Sequence, residues 1–221
     1  MHIGKRLARL NPANCRFDIG SGGIPEFTTT DIAAALAYVH EGIGRELLCR
    51  VWWPAGAKLA AYALREAVDQ VMRKEWARRE TVMLDGLLAV ASGGSRGHAA
   101  FADGHAQRWP RMVVRTRGIA GLAGTYGKVR EAVLIEISSA GLCPQCAGRM
   151  STLNDVGVIV SCPTCEGTGH HRLSDRERAE SCGVSSTTFR EGWSSVYDWT
   201  FQMCMDEIQR AERQFNNALG G

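Results

Sequence analysis

The sequence lacks several features that mark well-known classes of protein. No apolar run reaches the roughly eighteen residues that a membrane-spanning helix needs, and the opening stretch MHIGKRLARLNPANC has no apolar segment of the kind found in secretory signals. The chain also shows no Ser-His-Asp order, no phosphate-binding glycine loop and no close set of carboxylates. We therefore expect a cytoplasmic protein that is not an enzyme and has neither a membrane partner nor a small-molecule substrate.

The chain also lacks a large excess of either charge, since its net charge is only +3. Its distribution is uneven: residues 96–130 contain seven basic residues against one acidic residue, whereas residues 141–221 contain seven basic against ten acidic. A carboxyl-terminal part with this balance does not attract phosphates by itself. If the protein binds a nucleic acid, we expect basic residues of the first half to share the phosphate contacts.

The eight cysteines do not indicate a disulfide framework. Cys15, Cys49, Cys182 and Cys204 are scattered singly, and we interpret Cys182 and Cys204 as small core residues. The other four form two close pairs, Cys143-x2-Cys146 and Cys162-x2-Cys165, separated by fifteen residues.

This spacing predicts one structural zinc ion. Two close pairs on tight turns bring four thiolates to the corners of a tetrahedron, and a complete thiolate set leaves no position for a reacting water. The intervening residues predict a short β-hairpin, with a turn at Asn154-Asp155 followed by a β-branched run to Val160. The predicted unit is a zinc ribbon, and the alternative is a set of ordinary core or free thiols.

A helix-turn-helix signal follows the cysteines. Ser174 and Glu177 form a capping box for a first helix, Gly183 ends that helix, and Ser185 or Ser186 caps the second. The alternative is a simple pair of packed helices joined by a glycine turn. The residues predicted to reach base edges and phosphates from the second helix are Ser186, Thr187, Arg190 and Glu191. The arginines predicted to contact phosphates around the first helix are Arg172, Arg176 and Arg178.

The remaining pattern predicts a mainly α protein, a helical bundle with a small zinc ribbon followed by a helix-turn-helix and a long C-terminal helix. Residues 1–30 are basic and glycine-rich and predict a mobile or loosely docked arm. Residues 31–140 predict a helical body: one helix over 32–53 capped by Thr30 or Asp31, another over 58–79 that continues or restarts over 81–91, a glycine-rich basic loop at 92–127, and a helix over 128–139. Residues 141–217 are predicted to form a zinc ribbon plus helix-turn-helix DNA-binding module.

Three stretches together resemble a known family. DIAAALAYVHEGIGRELLC, KVREAVLIEISSAGLCPQC and the stretch from CPTCEGTGHHRLSDRERAESCGVSSTTFREGW to the end of the last helix are similar to the late-gene antitermination proteins Q of lambdoid bacteriophages and prophages. The similarity is most specific over residues 128–215, where a helix leads into two CxxC pairs and a long helix follows.

The resemblance implies a protein that binds double-stranded DNA in a phage late promoter within the host bacterial cytoplasm. It further implies loading onto host RNA polymerase, through the β flap and the sigma factor, so that terminators of late genes are read through. By position, Cys143, Cys146, Cys162 and Cys165 take the family's zinc-ligand role. For the mechanism, we expect the zinc ribbon to fix the angle at which the second helix leaves the body.

Two other functions fit parts of the same sequence. A zinc-containing helix-turn-helix repressor or activator would show the same two motifs. A zinc-dependent chaperone-like interaction module is suggested by CPTCEGTG, which matches the CxxCxGxG repeat of J-domain chaperones. Those chaperones usually carry four such repeats and an HPD loop, and neither is present in this chain.

Overall fold

The computed structural model describes residues 28–93, 95–114, 121–138, 151–154, 157–165 and 173–220, together with Leu7, Leu10 and Gln145. Over these residues the protein is mainly helical, as the periodicity predicted, and its strands form one two-stranded antiparallel sheet. Among the helices in this part of the chain, none combines the length and the apolar character required to cross a membrane.

The elements follow in a simple order. They are α1 (Thr29–Ala37), α2 (Ile43–Trp52), a 3-10 turn (Pro54–Gly56), α3 (Ala61–Ala91), α4 (Ser95–Ala106), α5 (Thr125–Ser138), β1 (Ser151–Leu153), β2 (Ile159–Ser161), α6 (Asp175–Ser181), α7 (Ser186–Thr188), a π-helical turn (Phe189–Trp193) and α8 (Ser194–Ala218).

The helix predicted over 32–53 is two helices. Thr28, rather than Thr30 or Asp31, caps the first: its hydroxyl accepts a hydrogen bond from the Asp31 backbone N–H, and the Asp31 carboxylate accepts one from the Thr28 N–H. The chain then turns before Gly42, which precedes α2. In this turn the His40 N–H donates to the Gln214 side chain of α8 at 3.0 Å. A tertiary contact therefore joins the break to the last helix.

The glycine-rich stretch contains a helix that the sequence did not predict. Residues Ser95–Ala106 form α4, which packs against the last turns of α3, and α3 itself continues through residue 80 without a break. A Cβ placed on Gly104 would lie 3.0 Å from the Met83 Cα. Here glycine allows two helices to approach closely, and this packing outweighs its low helix propensity.

One hydrophobic core joins the helices. It contains fully buried side chains from α1, α2, α3, α5 and α8, including Ile32, Leu47, Val68, Val133 and Phe215. Leu7 also lies in this core, so at that residue the predicted arm is docked. Cys182 and Cys204 are fully buried in the same cluster, which confirms their interpretation as core residues.

Candidate nucleic-acid interface and metal centre

The first helix after the cysteines has the predicted ends. The Ser174 N–H donates to the Glu177 carboxylate at 2.8 Å, while the Glu177 N–H donates back to the Ser174 hydroxyl, so the capping box is complete. Gly183 follows α6 with φ +64°, a left-handed conformation that glycine adopts without strain. The Val184 N–H then donates to the Ala179 carbonyl at 3.1 Å, which closes the turn.

The second helix starts where the sequence predicted. The Ser185 hydroxyl accepts a hydrogen bond from the Thr188 N–H at 3.1 Å, and helical residues run from Ser186 to Ala218 as α7, the π-helical turn and α8. We call this continuous stretch the candidate reading helix. Within it, Phe189–Trp193 form a π-helical turn, a feature that often marks functional positions in helices.

The predicted base-contacting residues share the exposed start of this helix. Thr187, Arg190 and Glu191 are exposed and Ser186 is partly exposed. The Arg190 Nε donates to the Ser186 carbonyl at 3.3 Å, so the guanidinium lies along the helix surface. A hydroxyl, a guanidinium and a carboxylate are therefore presented together on a rigid element, as a reader of base edges requires.

The three arginines predicted to contact phosphates differ in their surroundings. Arg176 is exposed on α6, and Arg172 lies outside the described residues. Arg178 does not fit the prediction, because its side chain is only 6% exposed. Its Nη2 lies 2.8 Å from Glu136 Oε1 on α5, and its Nη1 lies 3.1 Å from Asp198 Oδ1 on α8. A guanidinium held in this way supports the fold and is not available to a duplex.

The surroundings of Arg178 form a buried polar cluster. Its guanidinium lies over the Tyr197 ring at 4.9 Å, and the Tyr197 hydroxyl donates to the Glu136 carboxylate at 2.6 Å. Burial opposes the charge of Arg178, but the hydrogen bond and the charge of Glu136 outweigh burial and raise the pKa of Arg178. Burial, together with Glu136, also raises the pKa of Tyr197. The cluster joins α5, α6 and α8.

Two basic residues beside the reading helix were not singled out from the sequence. Lys128 is exposed on α5, and its Nζ would lie 2.9 Å from a Cβ placed on Gly183, so its ammonium stands next to the turn between α6 and α7. Arg111 is exposed and follows Pro110, whose Cγ lies 3.7 Å from the Cβ position of Gly192. The uneven charge distribution indicated residues 96–130 as basic. Only the tertiary contacts identify Lys128 and Arg111 as the residues of that segment near the candidate reading helix.

Two other basic residues of the same segment, Arg130 and Arg108, form ion pairs with α3. Arg130 Nη1 lies 2.6 Å from Asp69 Oδ2, and the Asp69 side chain is only 1% exposed. Arg108 Nε lies 2.9 Å from Glu80 Oε1. The excess of positive charge in residues 96–130 is therefore partly neutralised by α3, while Lys128 and Arg111 are exposed cations for which the described residues show no ion pair.

The predicted β-hairpin is present between the cysteine pairs. Ser151 pairs with Ser161, Thr152 with Val160, and Leu153 with Ile159 in an antiparallel register. The Asn154 carboxamide oxygen accepts a hydrogen bond from the Val158 N–H at 2.8 Å, which closes the turn as predicted. Asp155 lies outside the described residues. We call β1, β2 and the following turn with Cys162 and Cys165 the cysteine hairpin.

The described part of the hairpin fits a thiolate metal site. Cys162 is fully buried and Cys165 is 7% exposed, and these two form a small cluster separate from the main core. Cys162 Sγ lies 3.8 Å from the Gln145 side-chain oxygen, and Thr164 hydrogen-bonds to the same oxygen. Gln145 stands between Cys143 and Cys146 in the sequence, so one residue of the first CxxC motif contacts the second pair. The two buried thiols could supply two of the four ligands that a structural zinc ion takes.

Cys143 and Cys146 lie outside the described residues. Within the described ranges no group of three or more His, Cys, Asp or Glu side chains is placed to hold a metal ion, and those ranges include only the second CxxC pair. The four-cysteine zinc site thus stays a prediction. Comparison of the chain with protein-family models, with curated proteins and with solved structures found no match.

Proposed function

We propose that this protein is a transcription antitermination factor that binds promoter-proximal duplex DNA and acts on RNA polymerase. The observation that supports DNA binding best is the joint exposure of Thr187, Arg190 and Glu191 at the start of a capped helix that follows a glycine turn. The antitermination part of the proposal rests on the resemblance of the sequence to the phage Q proteins.

In this proposal the first turns of the reading helix enter the major groove. Arg190 then meets base edges, as arginine does most often at guanine, and Thr187 and Glu191 provide further polar contacts. Lys128 and Arg111 flank the helix and reach the phosphates on either side. They add positive charge beside a carboxyl-terminal part in which acidic residues outnumber basic ones. One structural zinc ion would be held by Cys143, Cys146, Cys162 and Cys165 and would stabilise the cysteine hairpin.

Exposed apolar residues of the hairpin favour a second candidate, a zinc-dependent protein-interaction module. Ile159 on β2 is 74% exposed, and Val158, the residue before β2, is 57% exposed. A short exposed strand with apolar side chains is able to receive a partner's strand. This candidate predicts protein binding without any preference for DNA.

The deciding experiment has two steps. Duplexes that bind the purified protein are selected from a random-sequence pool, and the best of them is placed between a promoter and a terminator for transcription in vitro with RNA polymerase. An antitermination factor increases the read-through product on this template and not on one with a scrambled site. A repressor lowers all products instead. A chaperone-like module selects no duplex, and that result would refute the proposal.

A further inference from the structure

We propose that one exposed face near the end of α3 is a dimerisation surface, and that its occupant is a second copy of this chain. The face consists of Leu84, Leu87, Leu88 and Ala91, which we call the leucine stripe. The inference goes beyond the proposed function and depends neither on DNA binding nor on a metal site. It rests on the composition of α3 along its length, on the position of the stripe, and on its charge and area.

The composition of α3 changes after residue 80. Residues 65–80 contain nine charged side chains, whereas residues 81–93 contain one, Asp85. The first stretch is typical of a helix with a face in water, and some of its charges pair with one another, as Arg73 does with Glu66. In the second stretch, leucines are exposed instead. Exposed apolar side chains grouped in this way mark a surface that another molecule covers.

The leucine stripe lies on a different side of α3 from the one that α4 covers. Met83 and Gly86 are buried where α4 packs, and a Cβ on Gly104 would lie 3.0 Å from the Met83 Cα. The stripe follows the spacing i, i+3, i+4 and i+7, which places its members together on one helical face. In chain order its three leucines are 52%, 42% and 67% exposed.

The main core does not extend to this part of α3. Among the described residues, the α3 side chains that pack in or against the core end at Trp76, and the buried Met83 lies outside it. The end of α3 and α4 therefore form a layer of two helices that buries only the face between them. A second such layer packed on the leucine stripe completes a four-helix arrangement in which the stripe is interior.

A second copy suits the stripe because the stripe can pack against itself. In an antiparallel pair with a twofold axis between positions 87 and 88, Leu87 and Leu88 of one copy meet the same residues of the other. Leu84 of each copy then meets Ala91 of the other. The two Asp85 residues lie five positions apart along the helix axes, or roughly 7.5 Å before any sideways separation. The pairing therefore places no like charges in direct contact.

The area of the stripe determines the strength that we expect. With on the order of 150 Å² for a fully exposed leucine side chain, the three leucines present about 240 Å² per copy and about 500 Å² in a pair. The smallest specific interfaces remove less than about 1,200 Å² in total, of which somewhat more than half is apolar. The leucines supply most of that apolar area, so we expect a reversible dimer with a Kd on the order of 10 μM.

The test measures self-association of the full-length protein without DNA, by sedimentation equilibrium from about 1 to 100 μM. The parent protein should approach twice the monomer mass at the upper end. Leu87→Glu with Leu88→Glu should stay monomeric, because four carboxylates would meet at the twofold axis. A parent protein that is monomeric at about 100 μM would overturn the inference and leave the stripe to a partner of another kind. A glutamate variant that dimerises like the parent would overturn it too.

A charge exchange identifies the occupant. Leu87→Lys with Leu88→Lys should be monomeric alone, and an equal mixture of the lysine and glutamate variants should dimerise, because a contact of the stripe with itself then brings opposite charges together. A mixture that stays monomeric would contradict this pairing. Tyr62→Glu is the matched control, since Tyr62 is 76% exposed on the same helix outside the stripe, and this variant should dimerise like the parent.

The charge variants should keep the helical circular dichroism signal of the parent, because the changed side chains are exposed and Leu, Glu and Lys have similar helix propensities. If either variant unfolds, Leu84→Ala with Leu88→Ala replaces it. This change removes apolar area without adding charge and should raise the Kd of the dimer by about tenfold or more. An unchanged Kd in the folded alanine variant would overturn the inference.

Discussion

The guanidinium of Arg178 and the carboxylate of Glu136 form a buried pair, with Nη2 2.8 Å from Oε1, that joins the helix before the cysteines to the helix after them. Both side chains are less than a tenth exposed. The pair therefore acts as an internal brace between α5 and α6, and it occupies an arginine that the sequence assigned to DNA phosphates.

Breaking this pair on one side should destabilise the protein strongly. Among the described residues, Arg178→Ala leaves the buried Glu136 carboxylate with the Tyr197 hydroxyl as its one hydrogen-bond donor. Removing one partner of a buried pair costs about 3–5 kcal/mol of unfolding free energy. Arg176→Ala, at an exposed position on the same helix, should change it by less than about 0.5 kcal/mol. Urea unfolding measures both, and equal effects would show that Arg178 is not a brace.

Lys128 should contribute to DNA binding without reading sequence. Lys128→Ala is expected to weaken binding about equally for selected and unselected duplexes, and to reduce the slope of log affinity against log salt by about one. Lys74→Ala, an exposed lysine on α3, should leave that slope unchanged. Titrations at several salt concentrations test this, and an unchanged slope for Lys128→Ala would remove Lys128 from the interface.

Gly44 should not tolerate a side chain. A Cβ at this position of α2 would lie 2.0 Å from the Glu207 carbonyl oxygen of α8, and backbone of another helix cannot give way easily. Gly44→Ala is therefore expected to cost about 1–3 kcal/mol or more through overpacking. Gly42→Ala makes a suitable control, because a Cβ there meets nothing within 4 Å and the backbone is extended. Thermal unfolding of the two variants should differ clearly, and matching midpoints would show that α2 and α8 are not packed this closely.

Stability should fall in alkaline solution. Burial raises the pKa of the Cys182 thiol to about 11 and that of Cys204 to about 12, from the ordinary 9.0. Above pH 9 the unfolded chain loses thiol protons that the folded protein retains, so the free energy of unfolding decreases as pH rises from there toward the folded pKa values.

The alkaline effect has its own control. Cys204→Ala removes one of these thiols and should make the decline with pH shallower, whatever its effect on stability at neutral pH. Urea unfolding at a series of pH values checks the slope. A slope that is the same in the variant and the parent protein would mean that Cys204 titrates alike in the folded and unfolded chains.

Local signals correctly predicted the helix ends and turns around the candidate site. The capping box of Ser174 and Glu177, the turn at Gly183 and the cap at Ser185 each depend on residues close in sequence, and all three are present. The hairpin turn at Asn154 depends on a side-chain hydrogen bond four residues away and was predicted for the same reason. Hydrogen bonds between residues close in sequence can be predicted from the sequence, because few other local conformations compete with them.

Features that depend on distant contacts were not predictable. The sequence does not reveal that Glu136 buries Arg178, forty-two positions away, or that Lys128 reaches the turn at Gly183. Residues 95–106, which form α4, were predicted as part of a loop because their glycines lower helix propensity. The sequence does not show that Gly104 packs closely against α3. Residues that are alike in sequence, such as Arg176 and Arg178, therefore differ in role only through tertiary packing.

The most direct test of the account is the affinity of Arg190→Ala for the selected duplex. Arg190 is exposed and its loss should leave the fold intact, so we expect binding to weaken by about 1–3 kcal/mol with relaxed preference at one base pair. Arg213→Ala, at an exposed arginine near the far end of the same helix, should bind like the parent protein. If Arg190→Ala binds the selected duplex as tightly as Arg213→Ala does, the start of this helix does not read DNA.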